Sequence, residues 1–314
     1  MALLNFRRPA AAPASDTPGT SPELAALMQG FSLEVMPRTA EKVGDFRALL
    51  PEGTRVYIAH IDGTPIAEMV ATAARLRAEG MEPMPHFPAR IIADRRELAD
   101  WVARYQGEAD VREALMLGGG VTTPKGSYDN SMQLLETGLF DSFRRLHVAG
   151  HPEGNRDIDA SGGQDILIEA LRAKEEFARA KGIEMAIVTQ FAFEAAPIID
   201  WTRNLRREGI DLPVHLGIAG PAKLQTLIKF AIACGVGPSL RVLQKRARDV
   251  SKLLLPFEPT ELTQALAAHK AANPGFAVER LHFFPLGGIK ANAEWTKAHG
   301  GPVARPAIEG SEQA

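Results

Sequence analysis

Apolar residues in this chain come in short dense runs separated by amphipathic stretches, and the two alternate from residue 31 to residue 286. Eight strand candidates lie at 31–36, 55–60, 82–87, 113–119, 145–151, 184–191, 213–219 and 280–286, and most are nearly continuous in apolar side chains. That is the pattern of parallel strands covered on both faces. Between the runs the period changes to that of helices. Thr64 followed by Pro65 reads as an N-cap with proline at the first helical position, Met69, Val70, Ala73 and Leu76 mark one apolar face, and Gly80 ends the helix. Asp94 with Glu97 reads as a capping box ahead of Leu98, Trp101, Val102 and Tyr105, and Gly107 stops that helix. The order helix, glycine, strand recurs at Gly182 and Gly209. An open doubly wound sheet uses the same alternation. The count of eight, and the polar and glycine residues at the C-terminal ends of the runs, favour an α/β fold of the (β/α)8, or TIM, type, with an active site at that end. Extra helical sequence at about 239–272 is placed outside the barrel wall, as added helices between strands seven and eight.

The length of 314 residues accommodates one barrel, for which about 250 suffice, plus tails. Residues 1–22 are rich in Ala, Pro, Ser and Thr without periodicity and read as a disordered tail. Residues 23–299 then form a single catalytic barrel, and 300–314 a flexible tail. A formal charge of −2 provides no bulk attraction to nucleic acid or an anionic membrane. No apolar run is long enough to span a bilayer. Arg7 and Arg8 follow a very short apolar stretch, which is not the order of a secretory signal, so a cytoplasmic protein is expected. The single cysteine, Cys234, excludes an intramolecular disulfide and a cysteine-rich zinc site, and its place on the apolar face of a predicted helix suits a buried inert thiol. Outer barrel helices are amphipathic in monomers and oligomers alike, so a homo-oligomer remains open.

Glu34 lies among apolar residues of the first run. Burying an ionised carboxylate there is costly, so its pKa should rise, as a general acid working near neutrality requires. The alternative is a glutamate paired with an arginine such as Arg38 or Arg90. His60 and His86 end the second and third runs, and His151 ends the fifth. With Asp62 they could converge on a metal, as in a barrel hydrolase, but the spacing matches no ligand pattern, and polar ligand contacts or hydrogen-bonded core histidines fit better. Gly118, Gly119 and Gly120 follow the fourth run, where bare backbone can approach a flat ring or a phosphate, or simply turn. Gln190 offers a donor and an acceptor to a heterocycle edge, while Phe191 and Phe193 could stack on the ring or fill core. Asp165, Lys174 and Phe230 fall on predicted helices, the first two as surface charges by default and the third as core.

Taken in order, these segments resemble the bacterial 5,10-methylenetetrahydrofolate reductase family. The resemblance rests on Ser32-Leu33-Glu34 with Pro37, Pro85-His86-Phe87, the loop from Ala149 to Gly154, Thr189-Gln190-Phe191, Lys229-Phe230-Ala231 and Leu281-His282-Phe283-Phe284. It implies a barrel that reduces methylenetetrahydrofolate to 5-methyltetrahydrofolate with NAD(P)H, FAD relaying the hydride. Glu34 matches the general acid that helps open the imidazolidine ring to an iminium ion. Gln190, with Phe191 beside it, matches the residue that holds the pterin, and Phe230 an aromatic that packs on the nicotinamide. His60, His86, Gly118, Gly119, Gly120, His151, Asn155, Asp165 and Lys174 fall on or near flavin-contacting positions, and no metal is implied.

The chain also departs from the family. Gly118-Gly119-Gly120 stands where the resemblance leads one to expect Arg-Gly-Asp, His151 replaces a tyrosine over the flavin, and Asn155 a histidine. Ala59 replaces a threonine, and Phe284 and Gly288 replace a tyrosine and an arginine after the eighth run. Losing a charge-assisted contact costs on the order of 1.5–3 kcal/mol, so flavin binding is weakened on this reading while the folate acid and amide survive. The sequence thus leaves two routes, through FAD or by direct hydride transfer from the nicotinamide. A non-catalytic folate-binding or partner subunit is the alternative from another class. Retention of Glu34 argues against it.

Overall fold

Each expected run coincides with a strand to within a few residues. These are β1 (Ser32–Val35), β2 (Arg55–Ile58), β3 (Glu82–Pro88), β4 (Glu113–Leu117), β5 (Arg145–Gly150), β6 (Glu184–Ala192), β7 (Val214–Ala219) and β8 (Val278–Phe284). All neighbours pair in parallel and in chain order, and β8 closes on β1 through Ser32 opposite His282 and Leu33 opposite Phe283. The sheet is therefore a closed TIM barrel and not an open doubly wound sheet. The computed structural model describes residues 20–233, 242–244 and 256–304. Cys234, residues 1–19 and residues 305–314 lie outside them.

Among the described residues, the helices that frame the barrel are α1 (Pro22–Leu27), α2 (Pro37–Ala40), α3 (Ile66–Ala78), α4 (Arg95–Ala109), α5 (Ser131–Leu135), α6 (Asp165–Lys181), α7 (Ala195–Arg207), α8 (Leu224–Ala233), α9 (Thr260–Ala272) and α10 (Ile289–Ala298). Asp94 caps α4 as expected, accepting from the Glu97 N–H at 2.8 Å. Two expected boundaries shift. Pro65, not Thr64, is the cap of α3, and the Thr64 carbonyl instead meets His60 Nε2 at 3.0 Å. Gly107 lies inside α4, which ends at Asp110 in a left-handed conformation, φ 46°. Among the described residues, no helix is long and apolar enough to cross a membrane.

Helical sequence beyond one wall helix lies between β7 and β8, as expected, but the last part of the stretch placed outside the wall, α9, belongs to it. α9 packs against α1 and α7, and its Leu262, Leu266 and Ala267 join the main core, so it belongs to the wall. α8 is an added element, and of the expected added stretch residues 239–241 and 245–255 lie outside the described residues. Leu224, Leu227 and Ala231 of α8 belong to a separate cluster with Phe191, Ala219 and Phe257. Two backbone hydrogen bonds between Ala222 and Phe257, 3.1 and 2.8 Å, tie the start and end of this excursion together. Both helices carry an apolar stripe, and a stripe does not say which surface it covers.

Charged residues gather at the N-terminal end of the barrel. Strands β2 to β6 open on Arg55, Glu82, Glu113, Arg145 and Glu184. Glu113 is fully buried and bonds to Arg55 and Arg144, while Arg145 Nε bonds to Glu184 at 3.0 Å. Above this charged layer, the Tyr57 hydroxyl lies 2.5 Å from His147 Nδ1, and Ser32 Oγ lies 2.9 Å from His282 Nδ1. Tyr57 also packs with Met84, Leu115 and Val188 as an apolar plug. The N-terminal end is thus sealed by ion pairs, an arrangement that serves stability, and the opposite end is left to a cavity.

Candidate functional site

A cavity of about 1370 Å³ opens at the C-terminal mouth of the barrel. Among the expected site residues, Glu34, His60, His86, His151, Gln190, Phe191 and Phe230 line it. Gly118, Gly119, Gly120, Asn155, Asp165 and Lys174 are not part of its lining. The positions assigned to flavin by resemblance therefore fall into two groups, one in the cavity and one beside it.

Glu34 occupies β1, in register with Tyr57 of β2. Neither arginine considered for it is its partner. Arg90 pairs with Asp129 at 2.9 Å, and among the described residues Arg38 reaches only Met36 Sδ at 3.9 Å. Glu34 Oε2 instead lies 3.3 Å from His86 Nε2. Burial pushes the Glu34 carboxyl up to about 8. Burial, helped by the charge of His60, lowers His86 to about 3. At neutral pH the carboxyl thus carries a proton and the imidazole is neutral, which suits proton donation to a ligand above them.

His60 stands on Trp101, ring centroids 4.7 Å apart, and burial lowers its pKa. His151 follows β5, and burial together with the nearby Lys174 ammonium lowers it to about 4. Lys174 on α6 is itself lowered to about 8 by burial. Asn155 is occupied locally, its Oδ1 accepting from the Asp157 N–H at 2.9 Å. Asp165 is the first residue of α6. Gly119 has φ +97°, and a Cβ there would sit 3.1 Å from Pro88 Cβ, so this loop lies close against the end of β3. Asp62, needed by a metal-binding reading, is paired with Lys125 at 2.6 Å and does not line the cavity.

Gln190 is presented by an irregularity in β6. The register to β7 shifts between Val188 and Phe191. Within the shift, Thr189 Oγ1 accepts from the Gly217 N–H at 2.9 Å and donates to the Gln190 carbonyl at 2.8 Å. A Cβ on Gly217 would lie 2.4 Å from the Thr189 carbonyl oxygen, so only glycine lets β7 approach the displaced strand. The Gln190 Oε1 is buried without a hydrogen-bond partner among the described residues. Such an acceptor is costly unless a ligand meets it. Phe191 is buried behind it, edge-on to Phe193 and Phe284 with centroids 5.8 and 5.5 Å away. It holds the wall, while Phe230 and Phe284 are partly exposed to the cavity.

The structure adds His282 to the site. It lines the cavity beside Phe284, with Nδ1 turned to Ser32. The period-two alternation of β8 puts His282 and Phe284 on one face, a signal present in the sequence. The cavity also continues sideways past Arg38 and Lys42 to Lys290 on α10. These are loop and helix-start residues without a periodic signal.

The fold and site define a (β/α)8 barrel with a ligand cavity at its C-terminal mouth and a protonated carboxyl in that cavity. An uncharacterized protein from Clostridium thermocellum, solved with two copies of 5-methyl-5,6,7,8-tetrahydrofolic acid, shares this fold with a TM-score of 0.54 at 10% identity, over 86% of this chain and 95% of that one. An intracellular xylanase from Thermoanaerobacterium saccharolyticum JW/SL-YS485 aligns over 87% of this chain and 90% of its own at 12% identity, with a TM-score of 0.38 too low to carry an argument. No family model matches the chain.

Proposed function

We propose that this chain binds a reduced folate in the mouth cavity and reduces 5,10-methylenetetrahydrofolate to 5-methyltetrahydrofolate with a reduced nicotinamide. The observation that carries the reading is a carboxyl held protonated near neutral pH in the same cavity as an unpartnered amide oxygen. The barrel neighbour that binds 5-methyltetrahydrofolate adds support. Gln190 pairs with the pterin edge. Glu34 gives its proton to N10, the bond from N10 to the methylene carbon breaks with its electrons going to N10, and an N5 iminium remains. That carbon accepts hydride, becoming the methyl group, as NAD(P)H is oxidised to NAD(P)+. His86 returns no charge to the site and keeps Glu34 without a counter-ion, which preserves the raised pKa.

The residues assigned to flavin by resemblance do not fit FAD well as a set. Gly118, Gly119, Gly120, Asn155, Asp165 and Lys174 stand outside the cavity lining, while His60, His86 and His151 line it beside Phe230, the residue matched to the nicotinamide. This division supports hydride passing directly from the nicotinamide to the iminium carbon. The test is anaerobic oxidation of NADH and NADPH with methylenetetrahydrofolate, on protein stripped of flavin, with and without added FAD. Folate-dependent oxidation without FAD is expected. Oxidation appearing only with FAD overturns the direct route, and folate binding without turnover in any condition leaves a folate-binding protein.

A further inference from the structure

Three neighbouring strands meet the cavity at one level. Gln190 lies in the β6 irregularity beside Gly217 of β7, and Gly217 in turn is in register with His282 of β8. Gly217 has no side chain to separate the two. β8 pairs with β1, where Ser32 stands opposite His282 and Glu34 follows two residues on, on the same face. Round the wall the order is therefore Gln190, His282, Glu34, and all three line the cavity. The state of His282 follows from Ser32. Ser32 is fully buried, and its Oγ lies 2.9 Å from His282 Nδ1, its sole hydrogen-bond neighbour among the described residues. A buried hydroxyl proton needs an acceptor, so Ser32 donates and Nδ1 accepts. Burial keeps the imidazole neutral, which puts its one ring proton on Nε2. The rings of Tyr57 and Phe284, edge-on with centroids 4.3 and 4.9 Å away, hold the imidazole in place. Nε2 has no partner among the described residues and is the nitrogen left to the cavity.

Resting on the folate reading, we propose that the His282 Nε2–H reads the C4 carbonyl of the pterin, with Ser32 as the positioning residue that keeps the proton on that nitrogen. The order of groups along the pterin edge carries the assignment. N3–H is a donor, the C4 oxygen beside it is an acceptor, and N5, which holds the methylene carbon, comes next. The wall presents the complement in the same order, with the Gln190 acceptor, the His282 donor and then the Glu34 acid. A 4-amino pteridine turns a donor toward the His282 donor and also lacks N3–H. The site should therefore prefer the 4-oxo ring by roughly a hundredfold, part of it through His282 and part through Gln190. The carboxamide oxygen of a nicotinamide is an acceptor of the same kind, so NADH enters the test.

The experiment measures Kd for 5-methyltetrahydrofolate, for its 4-amino-4-deoxy counterpart and for NADH. The proteins are wild type, His282→Phe, His282→Gln and Ser32→Ala, with circular dichroism to verify each fold. Nitrogen-15 NMR of the histidine rings, with His282 assigned by its loss in His282→Gln, reports where the proton sits. Support is a protonated Nε2 and bare Nδ1 in free wild type, an Nε2 resonance that moves when 5-methyltetrahydrofolate is added, and a proton shared with Nδ1 in Ser32→Ala. His282→Phe should then lower the 4-oxo preference about tenfold, His282→Gln should retain part of it through its amide donor, and Ser32→Ala should lower it less than His282→Phe does, all with NADH affinity kept. A preference unchanged in the folded His282 variants, or a proton on Nδ1 in the wild type, overturns the proposal and leaves the folate reading intact. Loss of NADH affinity in place of the preference overturns it in favour of the nicotinamide carboxamide. Failure of 5-methyltetrahydrofolate to bind the wild type overturns the folate reading itself. Should neither His282 variant fold, the wild-type spectrum and Ser32→Ala decide by the same criteria.

Discussion

Glu34 Oε2 and His86 Nε2 lie 3.3 Å apart at the mouth of the barrel, and both groups are neutral near pH 7. Burial raises the carboxyl to about 8 and lowers the imidazole to about 3, so the pair is not an ion pair but a proton donor beside a neutral base. A pair of this kind can deliver a proton upward to a ligand without leaving a charged neighbour to hold it back.

Turnover should therefore depend on a group that must be protonated and that titrates near 8. The pH profile of kcat/KM is expected to fall above that value. Glu34→Gln should reduce kcat by on the order of 10²–10⁴ and change folate Kd little. Near-normal turnover in that variant would remove Glu34 from the mechanism.

The same shift has a consequence for stability. Unfolded, Glu34 ionises near 4.5, the ordinary value for a glutamate, while folded it holds its proton up to about 8. Between those values the native state binds more protons, so stability falls as pH rises through this window. Glu34→Gln removes that loss and should be more stable than wild type at pH 8 by on the order of 1–3 kcal/mol, with little difference at pH 4.5. Urea denaturation at the two pH values measures it, and a pH-independent difference would contradict the buried-acid account.

Gln190 and Gly217 should fail in different ways. Gln190→Ala removes the amide that faces the cavity and is expected to weaken folate binding by roughly tenfold with the fold kept. Gly217→Ala drives a methyl into the Thr189 carbonyl and should cost about 2 kcal/mol of stability as well as folate affinity. Calorimetric titration with 5-methyltetrahydrofolate and thermal melts separate the two effects. Full folate affinity in Gly217→Ala would show that the β6 irregularity does not place Gln190.

The barrel interior sets an acid limit. Burial holds His147 and His282 well below the usual histidine range. The unfolded chain therefore takes up protons first, so their stability contribution is present above about 6.5 and is lost as pH falls below it. His147→Asn keeps a polar atom near the Tyr57 hydroxyl and should reduce the proton uptake on unfolding between pH 5 and 6.5 by about one. An unchanged slope of stability against pH would contradict burial of a neutral His147.

The strands were legible because a parallel barrel strand is apolar on both faces, as in the runs that contain Val56, Tyr57 and Ile58 or Ile187 and Val188. Glu34 was legible for the converse reason, a carboxylate where only apolar side chains repeat. The division of labour between α8 and α9 was not, because each carries an apolar stripe and only the packed structure shows that one covers the mouth and the other the wall. Gly217 was silent because a glycine forced by close backbone approach looks like any other. The cavity-lining cations Arg38, Lys42 and Lys290 come from segments distant in sequence and carry no common period. Tyr57, His147 and His282 each sit in a different run, and their convergence depends on closure of the sheet.

The most direct test of the account is anaerobic turnover of flavin-free protein with NADH and NADPH carrying deuterium at the transferable C4 position of the nicotinamide, followed by mass spectrometry of the folate product. The account predicts 5-methyltetrahydrofolate with the deuterium retained in its methyl group, formed without added FAD. A product formed only with FAD, its label diluted by exchange of the flavin hydrogen with water, would contradict direct transfer, and no methylated folate from either nucleotide would contradict the reductase itself.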